Sequence, residues 1–259
     1  MSGGTRRRTT ETTSVSAQKA SLPAAAVFDW DGTIVDTLPL IYRANATVLG
    51  ELGIVITREW FREQYTPDWR RGYRELGVPE ELWERTSGRW AEEMGRMRPR
   101  ALPWARGGLR RLRRHGVRLG LVTASTRAVV EPNLERLNLL GAFETAWYGD
   151  DVRNGKPHPE ALLLALRALD LAAADTVYVG DTPVDLEMAH AAGAAFVAVG
   201  STTSAEAFRA AGADRLWPGV GAWADDLLGR HAQASRPDPA APHRRPSRGG
   251  RPHGGIDRG

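Results

Sequence analysis

Five apolar runs of strand length, separated by stretches with helical periodicity, constrain this chain more than any other feature. They cover residues 24–28, 117–123, 145–148, 176–179 and 195–199. Helical patterns at 107–115, 129–140, 159–169 and 186–192 fall between or beside them. Strand and helix in steady alternation predict a parallel sheet with crossover helices, an α/β doubly wound core of Rossmann-like type. In such sheets ligands bind beyond the carboxyl ends of the strands. Several of these runs empty directly into polar or acidic residues.

The stretch 39–102 breaks the alternation. It is helical in pattern and holds Trp60, Trp69, Trp83 and Trp90 among many Arg and Glu residues. This predicts an inserted all-helical cap domain, placed just after the first strand loop, where it overhangs the sheet edge as a lid. The α/β core is then 22–38 together with 103–230. Residues 1–21 and 231–259 are rich in Pro, Gly, Ser, Thr and Arg and poor in large apolar side chains. Both read as a disordered leader and tail, because they cannot bury enough surface to offset ordering. The four tryptophans read as cap core, since aromatic side chains on helices usually bury.

Asp29 and Asp31 leave the first run one residue apart, followed at once by Gly32. Like charges so close raise each other's pKa and persist where a cation, a shared proton or a reaction compensates. An Asp-Gly turn accounts for one of them and leaves the other unexplained. Asp181 and Asp185 form a second acidic pair at the end of the fourth run, with Pro183 placed to open a helix. Two strand ends carrying two aspartates each point to a hard-cation site with oxygen ligands, and Mg2+ suits such a set.

Lysine usage is the sharpest single signal. Of 35 Lys plus Arg residues only Lys19 and Lys156 are lysines, and Lys19 lies in the leader. A lone lysine in an arginine-dominated fold marks a position that needs a compact ammonium, such as one meeting phosphate and carboxylate together. Thr123 ends the second run. Its hydroxyl and the backbone N–H groups of Ala124 and Ser125 suit phosphoryl oxygens at a helix N-terminus. Ser125 would equally serve as that helix's cap. His158, between two prolines, reads as a loop residue; Arg43, Arg70, Arg71 and Arg74 are candidates for meeting an anionic substrate group, but arginine is so common here that most of them read as solvated surface.

With four segments in order, Phe-Asp-Trp-Asp-Gly-Thr-Ile-Val-Asp-Thr (28–37), Leu-Val-Thr-Ala-Ser (121–125), Gly-Lys-Pro-His-Pro-Glu (155–160) and Val-Gly-Asp-Thr-Pro-Val-Asp (179–185), the chain resembles the haloacid dehalogenase-like hydrolase superfamily. Within it the resemblance is to the helical-cap phosphatases of the phosphoglycolate phosphatase type. The resemblance implies a phosphatase acting on small phosphorylated metabolites, with Asp29 as nucleophile and Asp31 as general acid and base. It also implies Mg2+ held by Asp29, the Asp31 carbonyl and Asp181 with Asp185 in or just behind the cluster, and Thr123 and Lys156 on the phosphoryl group. Asp31 argues against dehalogenation, which needs no leaving-group acid. The absence of lysine from 39–102 argues against a branch that forms a Schiff base through a cap lysine. A phosphosugar mutase or pyrophosphatase of the same architecture stays open.

Net charge is +4, but Arg6, Arg7 and Arg8 and a tail holding Arg236, Arg244, Arg245, Arg248, Arg251 and Arg258 carry much of the basic excess. The basic residues therefore do not define a nucleic-acid-binding face. The competing reading, a non-catalytic protein binding nucleic acid or an acidic partner, rests on the tail alone. Cysteine is absent, which rules out disulfides and thiolate chemistry. With no apolar stretch behind the N-terminal charges and none of membrane-spanning length, the expected location is the cytoplasm, with no membrane partner. Oligomeric state is not readable from the sequence.

Overall fold

The computed structural model describes residues 21–66, 68–200, 203–213 and 215–235. The chain enters through β1 (Ala25–Phe28) and β2 (Val35–Asp36), then forms α1 (Leu38–Gly50), α2 (Arg58–Gln64), α3 (Trp69–Glu75) and α4 (Trp83–Arg96). It returns through β3 (Arg100–Ala101), α5 (Ala105–Arg114), β4 (Arg118–Val122), α6 (Arg127–Arg136), β5 (Thr145–Trp147) and α7 (Glu160–Ala168). The last third holds β6 (Thr176–Gly180), α8 (Pro183–Ala192), β7 (Ala195–Val199), α9 (Ala205–Ala210), β8 (Leu216–Trp217) and α10 (Val220–Ala234).

Six strands form one parallel sheet in the order β5-β4-β1-β6-β7-β8. β1 is fully buried because it lies mid-sheet with helices over both faces, which is why its sequence is apolar without alternation. Ala26 and Phe28 face one core cluster, with Leu119, Leu121 and Trp223, while Ala25 and Val27 face the other, with Leu162 and Met188. Trp30, the large residue between the two aspartates, is 1% exposed and belongs to the first of these clusters, so it anchors the loop rather than facing a ligand.

Register positions the motifs. Phe28 pairs with Leu121 of β4 on one side and Val179 of β6 on the other, so these three strands end nearly level. The residues just beyond them, Asp29, Thr123 and Asp181, emerge along one edge at the point where the strand order reverses. Gly32 turns the loop after β1 with φ +73°, a conformation in which a side chain is strained.

Helices α1 to α4 share their own apolar cluster, centred on Ile41, Ala44, Phe61, Tyr73 and Met94, to which Val129 of α6 also contributes. The two chain crossings into and out of these helices pair as the antiparallel strands β2 and β3. This pair, and β8 at the sheet edge, are two residues long each. α10 extends to Ala234, past the boundary at 230 expected from composition, and packs on α5 through Val220, Trp223 and Ala224 in the first core cluster. The leader 1–20 and residues 236–259 lie outside the described residues. No helix among the described residues is long and apolar enough to cross a membrane.

Candidate active site

The strand-end residues converge. Lys156, on the loop before α7, is 6% exposed and donates from Nζ to Asp29 Oδ1 at 2.5 Å and to Asp185 Oδ1 at 2.7 Å. Burial alone would drive its pKa down, but Asp185 and Asp29 outweigh that and hold the ammonium protonated well above its ordinary range. Its Nζ also lies 5.2 Å from the centre of the Tyr178 ring, whose hydroxyl donates to Val122 O at 2.9 Å.

Asp185 is fixed from the other side by the start of α8. Thr182 and Asp185 form a reciprocal capping box, in which Asp185 Oδ2 accepts from Thr182 N at 3.1 Å and from Thr182 Oγ1 at 2.7 Å. Pro183 opens this helix, as its position in the sequence predicts. Gly180 is glycine for a steric reason, since a Cβ there would lie 2.6 Å from the Asp185 side chain. Both Asp185 oxygens are thus engaged by protein groups, Oδ1 by Lys156 and Oδ2 by Thr182.

Asp29, Asp181 and Asp185 each offer an oxygen, and those oxygens lie within 4.8 Å of one another. Asp181 is 1% exposed; Thr33 Oγ1 approaches its Oδ1 at 3.4 Å, and Thr203 Oγ1 donates to its backbone carbonyl at 2.9 Å. Burial pushes the Asp29 carboxyl up to about 8, with Lys156 opposing and Asp185 and Asp31 adding to the rise.

Asp31 is organised differently. Ser125 Oγ donates to its Oδ2 at 2.7 Å, across 94 residues of sequence. Burial raises the Asp31 pKa, with the hydroxyls of Ser125 and Thr37 pulling the other way. Ser125 therefore orients a carboxyl instead of capping α6, whose flanking residue is Thr126 with no side-chain cap bond. Thr123 Oγ1 accepts from Ser125 N at 3.0 Å, bracing the same turn. Thr123 is 3% exposed, while Ala124 and Ser125 reach the wall of the adjoining cavity.

That cavity, of about 150 Å³, lies between the strand ends and α1 to α4. Asp29, Asp31, Lys156, Asp181 and Asp185 form its floor. Trp60, Trp69 and Trp90 line it from above while packing at the margin of the helical cluster, so three of the four cap tryptophans serve both purposes. Trp83 does not line the cavity: half-buried, it stacks edge-on with Trp69 and Tyr73 and donates from Nε1 to Val78 O at 2.8 Å. Tyr65, directly after α2, reaches down to the acidic floor; burial first, then Asp31, Asp181, Asp29 and Asp185, keep its phenol protonated well above the usual range. His158 is exposed and its Nδ1 accepts from Glu160 N at 3.2 Å, a loop role.

Tyr65, Tyr178 and Thr203 have no legible signal in the sequence, whereas Thr33 lies inside the 28–37 motif. The first three act through a tertiary approach rather than a local motif.

Comparison with known proteins follows the same segments. A phosphoglycolate phosphatase of Cupriavidus necator is 35% identical over 184 residues, covering 67% of this chain and 79% of that protein. A phosphorylated carbohydrates phosphatase of Thermotoga maritima is 31% identical over 186 residues, covering 65% and 81%. The crystal structure of CbbY from Rhodobacter sphaeroides in complex with phosphate superposes with a TM-score of 0.64 at 27% identity, covering 77% of this chain and 96% of that one. The haloacid dehalogenase-like hydrolase family model matches residues 26–199, a span that contains all the acidic residues of the cavity floor and Lys156. With that span matched and the strand order bringing its motifs to one sheet edge, this chain belongs to the haloacid dehalogenase-like hydrolase family.

Proposed function

We propose that the chain is a Mg2+-dependent phosphomonoesterase that passes the phosphoryl group of a small metabolite first to Asp29 and then to water. The observation that carries this is the buried Lys156 ammonium shared by Asp29 and Asp185 beside Asp181 at the floor of the cavity. A core built for stability alone gains little from three clustered carboxylates and one cation. The names of the relatives point the same way.

The donor set fits magnesium. It offers hard oxygens only, in a chain without cysteine, and the three buried carboxylates Asp29, Asp181 and Asp185 converge beside the one Lys156 ammonium. Asp29, Asp181 and the backbone carbonyl of Asp31 would hold the ion, with Asp185 behind them through Lys156. When bound, the ion supplies a dication beside the phosphoryl oxygens and favours the ionised Asp29.

An oxygen of Asp29 attacks phosphorus in line, and the bond from phosphorus to the leaving oxygen breaks as the acyl phosphate forms. Asp31, whose protonated form is favoured by burial, gives its proton to the leaving oxygen. It then takes a proton from the water that attacks phosphorus, and Asp29 is released as carboxylate. Ser125 keeps Asp31 aimed through both steps. Lys156, the Thr123 hydroxyl and the Ala124 N–H hold the transferring oxygens.

Asp31→Asn tests the acid. It should slow hydrolysis of alkyl phosphates by roughly 10²–10⁴-fold. Hydrolysis of 4-nitrophenyl phosphate, whose leaving group needs little protonation, should fall far less. Equal losses on both substrates in steady-state assays would remove Asp31 from leaving-group protonation.

A stability test reads the cation site. Burial holds the folded Asp29 pKa up at about 8, well above the ordinary carboxylate range, so ionisation is disfavoured by folding. Without metal this destabilises the native state progressively as pH rises from about 4 to about 8. Asp29→Asn removes that titration. In chelator at pH 7.5 it should melt higher than the parent chain by at least about 2 °C, the step that 1 kcal/mol gives a chain of this size. Saturating Mg2+ should raise the parent and not the variant. An equal Mg2+ shift in both would move the ion away from Asp29.

A further inference from the structure

The half of the cavity that meets the leaving group carries no charge. Trp60, Phe61, Tyr65, Trp69, Tyr73 and Trp90 form most of it, from α2, its C-terminal flank, α3 and α4. The polar side chains that the cap contributes are neutral: Asn45, Gln64, Thr66 and Ser87. No Arg, Lys or His of α1 to α4 lines it, although arginine is abundant in these helices.

The arginines that the sequence offered for an anionic substrate group are committed elsewhere. Arg70 lies over the Trp69 ring at 4.4 Å, Arg71 Nε pairs with Glu75 at 2.7 Å, and Arg74 lies 5.7 Å from the centre of the Trp83 ring. Arg43 is exposed on α1 and does not reach the cavity wall. A substrate with a second anionic group, a carboxylate or another phosphate, would therefore bring that charge into an aromatic wall with no cation to receive it. Among the described residues the only ammonium in the cavity, Lys156, is already shared by Asp29 and Asp185. Desolvating an unpaired anion there opposes binding strongly.

We infer that the substrate is the phosphomonoester of an uncharged, apolar alcohol of about one ring in size, such as an arylmethyl or alicyclic alcohol. This rests on the phosphomonoesterase reading and narrows its substrate. The whole cavity, about 150 Å³ with its acidic floor included, must hold the phosphoryl group as well, which limits the alcohol to about one small ring against the apolar wall. Tryptophan and tyrosine faces give such a ring edge-to-face and offset partners. The phosphoryl group sits on the acidic floor with Lys156, and the ring fills the space below α2, α3 and α4.

The test is a matched panel on the full chain with Mg2+: benzyl phosphate, 4-carboxybenzyl phosphate, phosphoglycolate, glycerol phosphate and 4-nitrophenyl phosphate. The expected kcat/KM for benzyl phosphate exceeds those for 4-carboxybenzyl phosphate and phosphoglycolate by roughly 10²-fold. Gln64→Arg, an exposed residue at the cavity rim, should narrow the gap between benzyl phosphate and its carboxylated analogue at least about tenfold, chiefly through KM for the carboxylate. Because Gln64 is exposed, the variant should fold, and the far-ultraviolet circular dichroism of the parent chain confirms it. Phosphoglycolate or the carboxybenzyl ester turned over as well as benzyl phosphate would overturn the apolar-alcohol assignment and leave the phosphatase reading standing. No hydrolysis of any ester, 4-nitrophenyl phosphate included, would overturn both.

Discussion

Asp29→Asn should abolish Mg2+-dependent hydrolysis of 4-nitrophenyl phosphate, lowering kcat by on the order of 10⁴-fold or more, with the far-ultraviolet circular dichroism of the parent chain. The size follows from the role. An amide oxygen is a poor nucleophile, so the first displacement has no attacking group, and the water that completes the cycle has no acyl phosphate to attack. The fold should survive because the side chain sits at a strand end and the substitution keeps its volume. Lys156 loses one of its two carboxylates but keeps Asp185 at 2.7 Å. Residual activity within tenfold of the parent would remove Asp29 from the covalent role.

Lys156→Met should be the most damaging change outside the nucleophile, and it should act on both stability and rate. It leaves Asp29 and Asp185, 5% and 1% exposed, without the cation between them. Removing one partner from a buried ion pair typically costs about 3–5 kcal/mol. Thermal denaturation should report that loss in chelator, where no dication replaces the ammonium. Lys156→Arg should rescue neither property, because a planar guanidinium cannot occupy the place of an ammonium held between two carboxylates at 2.5 and 2.7 Å. The double change of Lys156→Met with Asp185→Asn should recover part of the stability and none of the activity. If the single variant melts with the parent, Lys156 is not holding the acidic cluster together.

What could be read from the sequence divides along physical lines. Asp29, Asp31, Lys156, Asp181 and Asp185 were legible because strand ends in a parallel sheet converge, and because two acidic pairs and a solitary lysine are expensive unless they meet. The core strands were legible because burial on both faces makes them uniformly apolar. β2, β3 and β8 were not, since two residues cannot establish a period. The role of Ser125 was blurred for a related reason: a serine before a helix looks like a cap, and only the fold reveals Asp31 2.7 Å away.

The cap tryptophans show a further limit. A face buried against other helices and a face that lines a cavity have the same hydrophobic periodicity, so core and binding wall are indistinguishable until the neighbours are known. Trp83 took the first fate, and Trp60, Trp69 and Trp90 combine both. Tyr65 gave no signal because its proximity to the acidic floor depends on how α2 ends, not on any spacing in the chain.

The central claim is that hydrolysis proceeds by two successive displacements at phosphorus, the first by a carboxylate of the enzyme. Its most direct measurement is the stereochemical course with a phosphomonoester made chiral at phosphorus by isotopes of oxygen and sulfur. Two in-line transfers return the original configuration, so the expected result is net retention. Net inversion would mean that water attacks the ester directly, and the acyl-phosphate route through Asp29 would be wrong.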